Sequence, residues 1–168
     1  MTTHDGPRDP LEAEVPGTES SATESSAMQP VETTRMFVDA VVWGDHEAVW
    51  ELLGAEGRDT VLKVAVSNGM DQAESDRIRD DSASAGERSR FLVELVYGLR
   101  NDLRGNDVDT LEYELESSSA DPSHARVVLS ARMPSELGGG LPVGSAELSH
   151  DGERWRVERL VPRRSLSA

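Results

Sequence analysis

The stretch FLVELVYGLRNDLRGNDVDTLEYELE, residues 91–116, changes its hydrophobic period part-way along, and that change decides the fold class. Up to Leu103 the apolar side chains Phe91, Leu92, Leu95, Val96, Leu99 and Leu103 recur at three- and four-residue intervals. Glu87, Arg88, Arg90, Glu94, Arg100 and Asp102 fall mostly on other faces, as in an amphipathic helix over about 86–103. RGNDVD, residues 104–109, is turn-like, and from Leu111 the period becomes two. Leu111, Tyr113 and Leu115 alternate with Glu112, Glu114 and Glu116, which predicts a strand with one wet face. A helix followed directly by such a strand implies an α+β domain, with this helix expected to lie across the sheet.

Downstream the period of two persists. Ala125, Val127, Leu129, Ala131 and Met133 alternate with Arg126, Val128, Ser130 and Arg132, and this second strand ends at Pro134. SSSADPS before it reads as a turn and LGGGLP after it as a flexible connection. A third strand is predicted over about 143–149. Asp151-Gly152 is a hairpin signal leading into RWRVERLV, which places Trp155 and Val157 on one face and Arg154, Arg156 and Glu158 on the other. Together these make a four-stranded antiparallel meander. Arg126, Arg132, Arg154 and Arg156 are candidates to pair across strands with the glutamates at 112, 114 and 116. Alternating acids on one strand are read as solvated rather than catalytic.

Upstream, Met36, Phe37, Ala40 and Val41 give a helix that stops at Gly44. Asp45 is placed to cap the next helix, whose apolar stripe is Val49, Trp50, Leu52 and Leu53. His46 then falls on the first turn of that helix, facing solvent, without a local partner to make it a base. Residues 58–69 predict a third helix, with Val61, Leu62, Ala65 and Val66 inward and Gly69 as its stop. A polar fourth helix is predicted over 70–81, and DDSASAGE, residues 80–87, reads as a loop. Residues 1–30, MTTHDGPRDPLEAEVPGTESSATESSAMQP, are rich in Ser, Thr, Glu and Pro. Such composition cannot bury enough apolar surface to offset its ordering entropy, so a disordered acidic tail is expected there, followed by one domain over 31–164.

Composition narrows the function classes. A length of 168 residues at 36% hydrophobic content suits one domain of ordinary size. A net charge of -15 argues against binding nucleic acid, which is driven by neutralising phosphates with Lys and Arg. There is no cysteine, hence no disulfide, thiol nucleophile or thiolate metal site, and the redox compartment stays open. No apolar run approaches the roughly 20 residues of a membrane span, and the first residues lack the basic and apolar regions of a signal peptide. A cytoplasmic location with no membrane partner is the resulting expectation. H-E-x-x-H, G-x-x-x-x-G-K and G-x-S-x-G motifs are absent.

Two helices joined at WGDHEAVW, a later long helix at FLVELVYGLR and strands closing with HDGERWRVERL together resemble the NTF2-like, or cystatin-like, superfamily, which includes SnoaL-like and ketosteroid-isomerase-like proteins. The resemblance covers about residues 31–162. It rests on element order, the GD corner after the first helix and the DG-x-RWRV hairpin. It implies helices packed on a curved antiparallel sheet of four or more strands, a cone with an internal pocket. The family usually has a strand between the second and third long helices. Here that region reads as mainly helical, although LKVAVS, residues 62–67, also suits a strand.

The enzymes resembled use an Asp or His base with Tyr or Asp donors inside the pocket, so the resemblance directs attention to inward positions that could supply such a set. Tyr97 and Tyr113 are candidate donors, and Trp43, Trp50 and Trp155 candidate pocket walls. No catalytic residue, metal ligand or cofactor is assigned: His4 lies in the tail, His46 on a helix start, and His124 and His150 flank turns. The expectation is a non-enzymatic domain binding a small apolar molecule or a protein, with a homodimer through the sheet face, where Val128, Ala146, Leu148 and Leu160 are candidates for an apolar patch. The alternatives are a pocket enzyme of the isomerase, dehydratase or cyclase kind, and an acidic adaptor acting through its N-terminal tail.

Overall fold

In the structure, a computed structural model, five helices precede a four-stranded sheet. The described residues are 1, 19–116, 121–133 and 140–163, with side chains described from residue 29 onward apart from Met1. The helices are α1 (Glu19–Trp43), α2 (His46–Leu52), α3 (Ala55–Ser67), α4 (Gln72–Arg79) and α5 (Ala85–Asp102). A 3₁₀ turn at Val108–Thr110 leads into β1 (Leu111–Leu115), β2 (His124–Ala131), β3 (Leu141–His150) and β4 (Trp155–Pro162). The expected tail falls largely outside the described residues. The chain is helical from Glu19, upstream of the expected start near Val31, and Pro30 is the first buried residue among those with described side chains.

The sheet is an antiparallel meander in the order β1-β2-β3-β4. Tyr113 pairs with Leu129, Val127 with Ala146 and Leu148 with Val157, which aligns the apolar faces of all four strands. Register shifts at Leu129/Ser130 and Glu147/Leu148 bend the strands, as an extra residue on one side of a ladder does. The hairpin between β3 and β4 turns at Asp151-Gly152. Gly152 has φ of 99°, and the Asp151 carboxylate accepts the N–H groups of Glu153 and Arg154.

The helix that lies across this sheet is α1, not α5. Phe37, Val38 and Val41 of α1 are at most 1% exposed and pack toward β1, β2 and β4, whereas α5 packs mainly on α1, α2 and α4. The stripe of α5 is the stronger one, but an apolar stripe specifies burial without specifying the partner.

Local signals in the sequence act as expected at the corners. Gly44, at φ 77°, ends α1, and Asp45 caps α2 by accepting the Ala48 N–H at 3.1 Å. Ser84 caps α5 in a reciprocal box with Glu87. Residues 55–67 and 72–79 are helical, so LKVAVS belongs to α3 and not to a strand. A single parallel bridge between Leu53 and Val157, reinforced by Gly54 N–H donating to Val157 O at 2.9 Å, is what extends the sheet at the β4 edge.

The other face of the sheet is wet and charged. Arg126 pairs with Glu116 at 3.4 Å and Arg132 with Glu112 at 3.0 Å, while Arg156 turns instead to Asp151 and to the Glu51 carbonyl. The apolar patch expected there is not formed: Ala146 and Leu148 are 0% and 1% exposed because they point into the core, and Leu160 packs against that core. Among those four residues, Val128 is on the wet face, opposite Glu114 and Ser145.

Candidate functional site

A groove of about 770 Å³ lies between α3 and α5, with β4 and Phe37 of α1 at its base. Its origin is steric. The Gly54–Gly57 segment lets α3 start directly on the β4 edge: a Cβ on Gly57 would lie 2.9 Å from the Glu158 carbonyl oxygen and 3.0 Å from that of Val157. From there α3 and α5 line opposite walls of the groove.

The walls are apolar and the rim is acidic. Phe91, Leu95 and Leu99 of α5 face Val61, Val64 and Ala65 of α3, and Met70 adds a flexible wall beyond the α3 end. Five carboxylates, Asp71, Glu74, Glu94, Asp102 and Glu158, stand on the lining with two guanidinium groups, Arg90 and Arg159. Three of the carboxylates have structural partners. Asp71 caps α4 through the Ala73 and Glu74 N–H groups, Glu74 is paired with Arg90, and Glu158 accepts from the Gly57 N–H and the Ser149 hydroxyl. Glu94 and Asp102 have no hydrogen-bond or ion-pair partner among the described residues. Arg159 stands opposite Glu147 in the β3–β4 register.

Gly98 lies on α5 between Glu94 and Asp102, one turn from each, and faces the groove. A Cβ built there would find no heavy atom within 4 Å. Glycine within a helix is less favourable than alanine by about 1 kcal/mol, and no close packing within the protein requires it at this position.

The five aromatic residues singled out from the sequence lie elsewhere. Trp43 and Tyr97 are 83% and 76% exposed. Trp50 is buried behind the groove, its ring meeting Phe91 edge-on at 5.6 Å. Its other contact is Arg58, which sits 4.8 Å from the ring centroid and donates to the Trp50 carbonyl at 3.1 and 2.8 Å. Burial, then neighbouring Arg156, lowers the Arg58 pKa. Tyr113 is half-buried under Arg35. Its hydroxyl is pushed up to about 12, chiefly by burial and secondarily by Asp39. Trp155 meets His150 edge-on at 5.2 Å across the hairpin. His46 is half-buried at the small recess beside Gly44 and Ser89.

In the sequence Val61, Ala65, Leu95 and Leu99 fall in helix stripes, a pattern that does not separate groove wall from core. The signal that distinguishes them is Gly98, a glycine inside the most regular helix, flanked at four-residue spacing by Glu94 and Asp102.

A second recess, of about 410 Å³, lies on the wet sheet face among Glu112, Glu114, Glu116, Val128 and Ser130. Two of its three glutamates are ion-paired across strands, as exposed acids on a sheet commonly are. Among the described residues no group of three or more His, Asp or Glu side chains is arranged to hold a metal ion, and no helix is long and apolar enough to cross a membrane. No protein family, curated protein or solved structure matches the chain.

Proposed function

We propose that the chain is an NTF2-like domain that binds a small, largely apolar molecule in the α3–α5 groove without transforming it. The observation that carries this reading is the groove itself: at about 770 Å³, with apolar walls and a few charged groups at the rim, it falls in the range of roughly 300–1,000 Å³ common for small-molecule sites. The NTF2-like assignment is supported by the order of elements and by the docking of the Leu53–Gly54 segment on β4. The departure from that pattern, helices α3 and α4 where the family usually has a strand, is also what creates the groove wall.

The non-enzymatic reading is supported by the partners of the rim. Proton transfer needs a base with a free lone pair and a donor within hydrogen-bond reach of one substrate. Glu158 and Glu74, the half-buried carboxylates, are both engaged, Glu94 and Asp102 are exposed at the rim, and neither Tyr97 nor Tyr113 lines the groove to act as the donor.

Native mass spectrometry of gently purified protein tests the proposal. The wild type is expected to carry a small-molecule mass, or to take up added 1-octanol. Val64→Trp, which fills the groove from a half-exposed wall position, is expected to do neither. A bare wild-type mass unchanged by octanol, or uptake equal in the variant, overturns it.

A further inference from the structure

We propose that the ligand of the α3–α5 groove is a cationic amphiphile, an apolar body carrying an amine or quaternary ammonium group, and that its charged end sits over Gly98 between Glu94 and Asp102. The inference rests on the groove being a ligand site and adds the ligand's chemistry.

Three independent features point the same way. The first is charge. Arg90 is neutralised by Glu74, which leaves Arg159, without an ion pair among the described residues, against four further carboxylates of the lining, Asp71, Glu94, Asp102 and Glu158. Glu94 and Asp102 have no partner among the described residues, and both stand on the face of α5 that lines the groove. An anionic ligand would meet this surplus of negative charge; a cationic one would neutralise it.

The second feature is space. Glu94, Gly98 and Asp102 follow one another at four-residue intervals, so each carboxylate is about 6 Å along the helix axis from Gly98. A bulky ammonium centred on Gly98 would therefore lie within Coulombic reach of both. The missing side chain leaves room for it, since a Cβ there would meet no protein atom within 4 Å. A glycine at this point of the wall relieves no internal clash and leaves the turn open to a group approaching from outside.

The third feature is the facing wall. α3 ends at Ser67, and Asn68, Gly69 and Met70 line the groove beyond it. The carbonyl end of a helix carries partial negative charge and favours a cation nearby. The apolar walls formed by Phe91, Leu95, Leu99, Val61 and Val64 would receive the uncharged body.

Isothermal titration with three probes of equal chain length, octyltrimethylammonium, 1-octanol and octanesulfonate, all below their micelle concentrations, separates charge from cavity. The ammonium is expected to bind tighter than octanol by about tenfold, a modest return for two carboxylates acting through a partly wet site, and the sulfonate weaker than octanol. Glu94→Gln with Asp102→Asn should bring the ammonium down to the level of octanol and leave octanol unchanged. Gly98→Leu, a helix-favouring change into open space, should remove binding of all three while the protein stays folded by circular dichroism. Equal binding of the three probes, or an ammonium affinity unaffected by the double substitution, overturns the cationic ligand and leaves the groove as an apolar site. Unchanged binding by Gly98→Leu overturns the placement over Gly98. Failure of every probe to bind overturns the groove as a ligand site and this inference with it.

Discussion

Glu158 holds Gly57 from two directions: its carboxylate accepts the Gly57 N–H at 2.5 Å, and its carbonyl oxygen lies 2.9 Å from where a Gly57 Cβ would stand. This contact fixes the start of α3 on the β4 edge and therefore the width of the groove. Gly57→Ala should lower stability by about 1–3 kcal/mol, because the atoms in the way are strand backbone and cannot swing aside. Gly98→Ala should raise stability by up to about 1 kcal/mol, because there the same methyl group enters open space within a helix. Urea denaturation of the two variants checks the pair; equal midpoints would contradict the different roles given to the two glycines.

Arg100 closes the other end of the helical layer. Its Nε donates to the Val41 carbonyl at 2.8 Å and its Nη2 to that of Val42 at 2.6 Å, which satisfies two orphan acceptors at the end of α1 and ties α1 to α5. The guanidinium also lies against Gly44, where a Cβ would be 2.8 Å from Nη2. Arg100→Ala should cost about 1–2 kcal/mol, within the range for charged hydrogen bonds at a partly exposed site. Arg100→Lys should recover only part of it, because an ammonium lacks the planar fork that reaches both carbonyls. Loss of stability in the lysine variant equal to that in the alanine variant would assign the whole effect to the fork.

Acid stability should show the contribution of Glu87. Arg77 donates to its carboxylate, and the Ser84 N–H and hydroxyl add to this, which together hold its pKa at about 2 against an ordinary 4.5. The folded value lies below the unfolded one, so the stabilisation is fully present above about pH 4.5 and is lost as pH falls toward 2. Glu87→Gln should therefore be less stable than wild type at neutral pH, with a shallower loss of stability over that acid interval. An acid slope identical to that of wild type would show that the capping carboxylate does not contribute in this way.

The strands, their order and the corners at Gly44-Asp45 and Asp151-Gly152 were legible in the sequence because each rests on short-range chemistry: alternation, a positive φ, a capping carboxylate. The assignment of α5 to the sheet was not, because the stripe from Phe91 to Leu103 is the same whether it meets strands or helices. The apolar patch at Ala146 and Leu148 failed for a related reason: the two alternate onto one face of β3, and which face of a strand meets the helices is set by register and packing that its own residues do not specify. The candidate site was less legible still. Large aromatics are the natural candidates for pocket walls, yet Trp43 and Tyr97 are exposed and Trp50 backs the core, while the groove is lined by ordinary aliphatic residues that resemble any helix stripe. Gly98 was visible but silent, since a glycine's meaning depends on what would surround the side chain it lacks.

Amide chemical-shift mapping during titration with 1-octanol reads occupancy of the groove residue by residue, because glycine amides are resolved from the bulk of the spectrum and Gly69 and Gly98 both line the groove. Saturable shifts are expected at residues 60–70 and 91–102, with Gly69 and Gly98 among the largest and Gly152, in the β3–β4 hairpin, unmoved. Shifts concentrated on the sheet face at residues 112–116 and 126–130, or none at all, would contradict binding in the groove.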